Sequence, residues 1–271
     1  MKRYPTVLTI AGSDCSGGAG IQADIKTITM NGCYAAAVIT ALTAQNTQAV
    51  YQIEIPSLTF MEAQLNAVFS DIKIDAVKIG MISDVQTLKC VSDYLTRYQP
   101  KHIVLDPVMI AQSNVVLVSD EVMQVAQRRL FPLTTLITPN VPEAEALSGQ
   151  SIAVQRDMET VAQQLGSQHN TNVLVKGGHL DNEDFCHDVL YEYQSARCHW
   201  FSARRTVSDN VHGTGCALSS AIAAFLAKGA ALTAAITQAK QYLSNAIEYG
   251  KDYRVGQGSG PINHFFCLGL D

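Results

Sequence analysis

The chain has 271 residues, is 47% hydrophobic and 16% charged, and carries a formal net charge of −5 with a sequence pI of about 5.8. That length and composition can bury a full core, and they suit one domain over residues 1–271 better than two independent ones. No basic field is available to hold nucleic acid or an anionic membrane, so the expected partner is a small molecule.

The opening segment MKRYPTVLTIAGSDCSGG has basic residues and a short apolar run that breaks at Asp14, without a small-residue cleavage pattern behind it, which predicts a cytoplasmic protein. TVLTIAG reads as a strand and GIQADIKTITM as a helix. Residues 27–53 are uncharged, but Asn31, Gln45, Asn46 and Gln48 interrupt them, so no stretch has the apolar length of a membrane helix. Thr59 with Glu62, and Ser83 with Gln86, have capping-box spacing and predict helix starts. DAVKIG, HIVLDP, TLITP and NVLVKGG then read as strands, separated by the helical patterns DVQTLKCVSDYL, DEVMQVAQRRL and PEAEAL. Such alternation predicts an α/β fold, a mostly parallel central sheet with helices on both faces. HDVLYEYQ and RCHWFSA, joined by a turn, predict a small antiparallel ribbon late in the fold. There, Cys186, His187, Cys198 and His199 invite a zinc reading, but neighbours on a strand point to opposite faces and do not converge. The seven cysteines, an odd number without a C-x-x-C pair, are expected to be reduced thiols.

In such a sheet, ligands gather at the carboxyl ends of the strands. The segments there are GSD, TAQN, KIGM, DPVM, TPNVPE, KGGH and HGTGC, rich in Asp, Asn, Lys and Gly, and this edge is the expected active site. GAGIQA satisfies G-x-G-x-x-A after a strand, yet no acidic residue lies between Asp24 and Glu54 to take a ribose hydroxyl, and the P-loop pattern is absent. HGTGCALSSAIAAFLAKG is more informative. Gly213 and Gly215 permit a tight turn, and the helix that follows would aim its free N–H groups at an anion. A thiol at Cys216 should then have a lowered pKa and could accept a proton or attack an electrophile; the alternative is a small core residue.

AGSDCSGGAGIQADIKT, ITALTAQNT, DAVKIGM, VLDPVM, ITPNVPEAEAL, VLVKGGH and VHGTGCALSSAIAAFLAKG resemble, in order and spacing, the bacterial hydroxymethylpyrimidine/phosphomethylpyrimidine kinases of thiamine biosynthesis, in the ribokinase-like superfamily. The resemblance covers essentially the whole chain. It implies a ribokinase-like fold and an enzyme that uses ATP and Mg²⁺ to phosphorylate 4-amino-5-hydroxymethyl-2-methylpyrimidine, then its monophosphate to the diphosphate. It places Cys216 as the base that activates the attacking hydroxyl, with the N–H groups of Gly213, Thr214 and Gly215 on the transferring phosphoryl. Asp106 and Glu143 match the metal region, and Asn140 and Lys176 the nucleotide phosphates. Gly12, Asp24, Gln45, Met81 and Val108 match the pyrimidine pocket, and a homodimer is implied. The residues by themselves leave other roles open: Asp106 could cap its own turn, Glu143 could be a first-turn acid, Gln45 could serve loop backbone and Met81 could be packing. An amide such as Gln45 complements an aminopyrimidine edge, which favours the pyrimidine over the alternative substrate of a pyridoxal kinase. A nucleotide-binding regulator without turnover is a third reading. One departure stands out: the family's AKSG after DPVM is here Ala111-Gln112-Ser113-Asn114.

Overall fold

The computed structural model describes residues 2–109, 116–178 and 184–269. Its strands are β1 (Thr6–Asp14), β2 (Tyr34–Gln45), β3 (Val50–Glu54), β4 (Ala76–Ile79), β5 (Ile103–Leu105), β6 (Leu136–Ile137), β7 (Asn172–Lys176), β8 (Phe185–Glu192) and β9 (Arg197–Arg204). They form one sheet in the order β3-β2-β1-β4-β5-β6-β7-β8-β9. The strands from β2 to β7 in that order run parallel, while β3 is antiparallel to β2 at one edge and β8 and β9 are antiparallel at the other. The late ribbon is therefore present as expected. The β2–β3 hairpin was not anticipated: its turn, residues 46–49, falls within the uncharged run, and β3 ends at Glu54 just beyond it.

Eight helices accompany the described strands: α1 (Gly20–Met30), α2 (Leu58–Asp71), α3 (Val85–Tyr98), α4 (Asp120–Arg129), α5 (Val141–Ser148), α6 (Gln155–His169), α7 (Thr214–Ala227) and α8 (Leu232–Glu248). The sheet divides the core into two layers. Leu8, Ile10, Val77, Ile79, Val173 and Val175 pack toward residues of α2 to α6, such as Leu65, Val91 and Leu165. Val7, Ala76, Val104 and Leu174 point the other way, onto Ile28 of α1, Leu218 and Ile222 of α7 and Ile236 of α8. Period-two alternation of side chains along each strand produces this split, and burial on both faces is why these strands read as short, nearly continuous apolar runs.

Two helix starts differ from expectation. Ser57, not Thr59, caps α2, accepting from the Phe60 N–H, and Asp84, not Ser83, caps α3, accepting from the N–H groups of Gln86 and Thr87. Both N–H groups reach the same carboxylate oxygen, Asp84 Oδ1, at 3.0 and 2.9 Å, and its charge favours the positive end of the helix. The reciprocal capping box lies elsewhere, between Asn140 and Glu143 at the start of α5.

From β1 the chain passes through α1 to β2 on one side, then crosses through β3 and α2 to β4 on the other. The strand order reverses there, and a crevice opens beyond the carboxyl ends of β1 and β4. Gly12 lies in this crevice: a Cβ there would sit 2.8 Å from Met81 Cε.

Candidate active site

The carboxyl edge is held by two interlocking glycine loops. Strand β1 ends at Asp14, whose Oδ1 accepts from Ser16 N (2.9 Å) and Ser16 Oγ (2.7 Å). Its Oδ2 accepts from Ala19 N (2.8 Å), Gly18 N (3.2 Å) and His212 Nε2 (2.9 Å). Burial opposes the charge, but these bonds, led by the one from His212, outweigh it and hold the carboxyl down to about 2. A Cβ on Gly18 would collide with the His212 ring, and one on Gly213 with the Gly18 carbonyl. Gly213 also has φ +84°, so the contact and the backbone both require glycine.

Beyond this clasp, α7 begins at Thr214 with no side chain capping it; the Thr214 N–H turns back to the Val211 carbonyl at 3.3 Å, so the N–H groups offered to the site begin at Gly215. Gly215 lies over an ion pair: a Cβ there would sit 3.4 Å from Asp106 Oδ2 and 3.5 Å from Lys176 Nζ. Lys176 Nζ bonds Asp106 Oδ1 at 2.8 Å, and Thr138 Oγ1 adds a bond at 3.1 Å. Asp106 is 1% and Lys176 14% exposed, so the pair is sealed except toward the loop. Burial opposes both charges; Lys176 and Lys78 lower the Asp106 carboxyl, while Asp106 and Glu143 raise the Lys176 ammonium.

Glu143 does two jobs. Its Oε2 accepts from Asn140 N (2.8 Å) while Asn140 Oδ1 accepts from Glu143 N (2.9 Å), so both residues are structural caps as well as site residues. Burial pushes Glu143 up to about 7; Lys176 pulls it down and Asp106 adds to the rise. Asn140 also bridges Lys176 across the sheet.

The expected lowering of Cys216 is not found. Burial pushes its thiol up to about 11, against the pull of Lys78 and of the Gly20 N–H. The helix start is thus less influential here than the loss of water around the sulfur.

Asp24 lies beneath the carboxyl edge, among side chains of β1, β4 and α7. It is fully buried, with Lys78 Nζ 2.9 Å from both oxygens, Ser220 Oγ 2.7 Å from Oδ1 and Thr9 Oγ1 2.6 Å from Oδ2. Its oxygens, expected to serve the pyrimidine pocket, accept here from these three side chains. Gln45, by contrast, is half-exposed at the end of β2, with Nε2 3.2 Å from His212 Nε2. Met81 is nearly buried against Gly12, its carbonyl accepting from Thr40 Oγ1 at 2.6 Å, and Val108 is half-buried after Pro107.

The structure therefore brings Gly213, Thr214, Gly215, Cys216, Asp106, Lys176, Asn140 and Glu143 to one end of the edge, and Gly12, Gln45 and Met81 to the other. Three participants were missed. Lys78 is a lone charge inside an apolar strand, His212 directly precedes the glycine turn, and Asp14 ends the first strand; each oddity was visible in the sequence. Among the described residues, no three His, Cys, Asp or Glu side chains gather as a metal cage. In the ribbon, Cys186 pairs with Ala203 and Cys198 with Tyr191, which separates the two cysteines along its length. Ala111–Asn114 lie outside the described residues, as does His179.

A family model described as phosphomethylpyrimidine kinase matches residues 14–263. The chain is 46% identical over 262 residues to the thiamine biosynthesis bifunctional protein of Geobacter sulfurreducens, covering 97% of this chain and 52% of that one, so it spans about half of that relative. It is 44% identical over 269 residues to the hydroxymethylpyrimidine/phosphomethylpyrimidine kinase of Escherichia coli, covering 98% of each. Among solved structures, the phosphomethylpyrimidine kinase of Clostridium difficile is 41% identical with a TM-score of 0.78, covering 89% of this chain and 99% of that one. The ADP complex of Bacillus subtilis pyridoxal kinase is 32% identical with a TM-score of 0.89, covering 99% and 100%. The fold is shared by both kinds of kinase, and the sequence is nearer to the pyrimidine kinases.

Proposed function

This chain belongs to the phosphomethylpyrimidine kinase family, and from that membership we propose how its residues share the work of phosphorylating hydroxymethylpyrimidine and then its monophosphate with ATP. The observation that carries the assignment is the stacking of Gly215 over the Asp106–Lys176 pair. A helix start, a cation and an acid in one place are what a phosphoryl group in transfer needs, since that reaction calls for positioning and charge neutralisation more than covalent chemistry.

The N–H groups of Gly213 and Gly215 face the phosphoryl, that of Thr214 joins them by leaving the Val211 carbonyl, and Lys176 turns from Asp106 to the nucleotide phosphates, with Asn140 beside it. Magnesium suits the two acids: Glu143 is raised to about 7 mainly by burial, with Asp106 adding to the rise, so a cation arriving there would favour its charged form, and magnesium commonly takes one or two carboxylates together with water and phosphates. Asp106 and Glu143 would hold it, supplying charge neutralisation for the phosphates. Cys216 receives the proton of the attacking hydroxyl. With the thiol at about 11, thiolate is a minor form near neutrality, which is tolerable because a loose transition state demands little help from a base.

Gln45 meets the amino group and adjacent ring nitrogen of the pyrimidine, Met81 and Val108 give apolar contact, and Gly12 leaves room for the ring. For the base of ATP we assign the cavity of about 1020 Å³ between β9 and α8, lined by Arg205, Thr206, Val207 and Gln241 among others. It opens beside the segment that leads into the Gly213 turn. A homodimer is supported by exposed Leu42, Tyr51, Ile55 and Phe60 around the β2–β3 edge, and no helix among the described residues is long and apolar enough to cross a membrane. We assign the protein to the cytoplasm.

The test is ATP- and Mg²⁺-dependent phosphorylation of hydroxymethylpyrimidine, its monophosphate and pyridoxal, each offered separately and read by mass spectrometry. One added phosphate on each pyrimidine, with pyridoxal slow, is expected. Preference for pyridoxal would assign the site to vitamin B6 instead.

A further inference from the structure

Gln45 cannot recognise an aminopyrimidine unless its amide is held one way round, and the structure contains the part that holds it. Asp14 is ionised at any physiological pH, with its carboxyl at about 2, so its Oδ2 can only accept. His212 Nε2, 2.9 Å away, must therefore carry a hydrogen, whether the ring is neutral or charged. The same nitrogen lies 3.2 Å from the Gln45 amide; its one hydrogen is held by Asp14 and can be shared with that amide only as a three-centre bond to an oxygen. On the other side of that amide, Thr43 Oγ1 stands 3.4 Å away, and its single hydrogen is engaged by the Ser13 carbonyl at 2.9 Å. Gln45 thus has a donor on one side and an acceptor on the other. As placed, Nε2 faces His212 and Oε1 faces Thr43, which sets two N–H groups against each other; turning the amide over, with Oε1 toward His212 and Nε2 toward Thr43, satisfies both sides.

We propose that His212, fixed by Asp14, is a positioning residue that sets the Gln45 amide and thereby determines specificity for a 4-aminopyrimidine over its 4-oxo counterpart. In this orientation one lone pair on Oε1 and one N–H on Nε2 remain for the ligand, the complement of an amino group beside a ring-nitrogen acceptor. A 4-oxo ring, with a carbonyl beside a ring N–H, would be met equally well by the amide turned over, so discrimination depends on the turn being forbidden. His212 also adjoins Gly213, and Gly18 packs on its ring, so the residue that orients the amide is built into the loop that receives the phosphoryl. Base recognition and phosphate placement therefore share one side chain.

This inference rests on the assignment of Gln45 to the pyrimidine, and the experiment separates the two. The kcat/KM for hydroxymethylpyrimidine and for 5-hydroxymethyl-2-methylpyrimidin-4-one would be measured in the wild type and in Gln45→Leu, His212→Leu and His212→Gln. The wild type should prefer the amino compound by ~100-fold, in the range of a good bidentate contact. Gln45→Leu should lose that preference with the KM for ATP unchanged. His212→Leu should bring it below ~10-fold and raise the KM for ATP, and His212→Gln, which keeps an N–H for Asp14, should recover part of it. Preference retained in both His212 variants but lost in Gln45→Leu would overturn the role of His212 alone. Preference retained in Gln45→Leu would overturn the assignment of Gln45 and the inference with it. Should His212→Leu not fold, His212→Gln decides: an unchanged preference and an unchanged ATP KM would reject the positioning role, and a reduced preference would support it.

Discussion

Two aspartate–lysine pairs act electrostatically on Cys216, one from β4 and one from β7, and they are built for different ends. Asp24 and Lys78 are both 0% exposed, and Thr9 and Ser220 complete the bonding of the carboxylate. Asp106 and Lys176 have Thr138 as a further partner and an opening toward Gly215, through which the lysine keeps 14% exposure. A sealed pair cannot exchange partners without stranding a charge in the core, whereas a pair with an opening can be parted by an arriving anion and cation. Composition does not separate them: both are Lys-Asp contacts of 2.8 to 2.9 Å. What lies above each pair does.

The largest expected effect comes from breaking the open pair. Asp106→Asn should lower kcat/KM by ~10³ or more, the scale of losing a principal electrostatic contact, while the melting temperature moves by only a few degrees because Lys176 can reach water. Steady-state kinetics and a thermal melt on the same sample check both halves. Breaking the sealed pair should do the reverse. Asp24→Asn leaves Lys78 charged and unmatched in the core, at a cost of ~3–5 kcal/mol, or about 10 °C in a chain of this size, with the remaining folded protein active within about tenfold.

The influence of both pairs on Cys216 can be sharpened by pH. With the thiol at about 11, the thiolate fraction rises about tenfold per pH unit below that value, so kcat/KM should climb from pH 7 to 9.5 and a flat profile would remove Cys216 as the base. The smallest effect concerns Glu143. Its folded value of about 7 lies above the ordinary 4.5, so the stability it contributes is present below pH 4.5 and lost as pH rises through 7. The ligand-free protein should lose a few degrees of melting temperature between pH 5 and 8, Glu143→Gln should flatten that slope, and ATP with Mg²⁺ should restore the loss in the wild type. A slope unchanged in Glu143→Gln would assign it to another group.

Much of this was legible in the sequence. The parallel strands showed as apolar runs because they are buried on both faces, and the polar residues that followed them marked the edge where Asp106, Lys176 and the Gly213 turn meet. What was hidden depended on partners remote in the chain. That Asp24 is paired with Lys78, 54 positions away, could not be read from either residue alone. The direction of the Cys216 shift was misread because a helix start is local and visible, while burial is a property of the assembled core. Asp14 and His212, 198 positions apart, become a unit only when two glycine loops close on each other.

The most direct test compares the two pairs with their charges removed together, so that neither variant leaves a stranded ion. Asp24→Leu with Lys78→Met, and Asp106→Leu with Lys176→Met, would be assayed for ATP-dependent phosphorylation of hydroxymethylpyrimidine at equal folded concentration. The first should keep kcat/KM within about tenfold of the wild type, since replacing a buried ion pair by apolar groups of similar volume is often neutral, and the second should lose ~10³ or more. Equal losses in the two, or a working enzyme without Asp106 and Lys176, would contradict the assignment of the open pair to phosphoryl transfer.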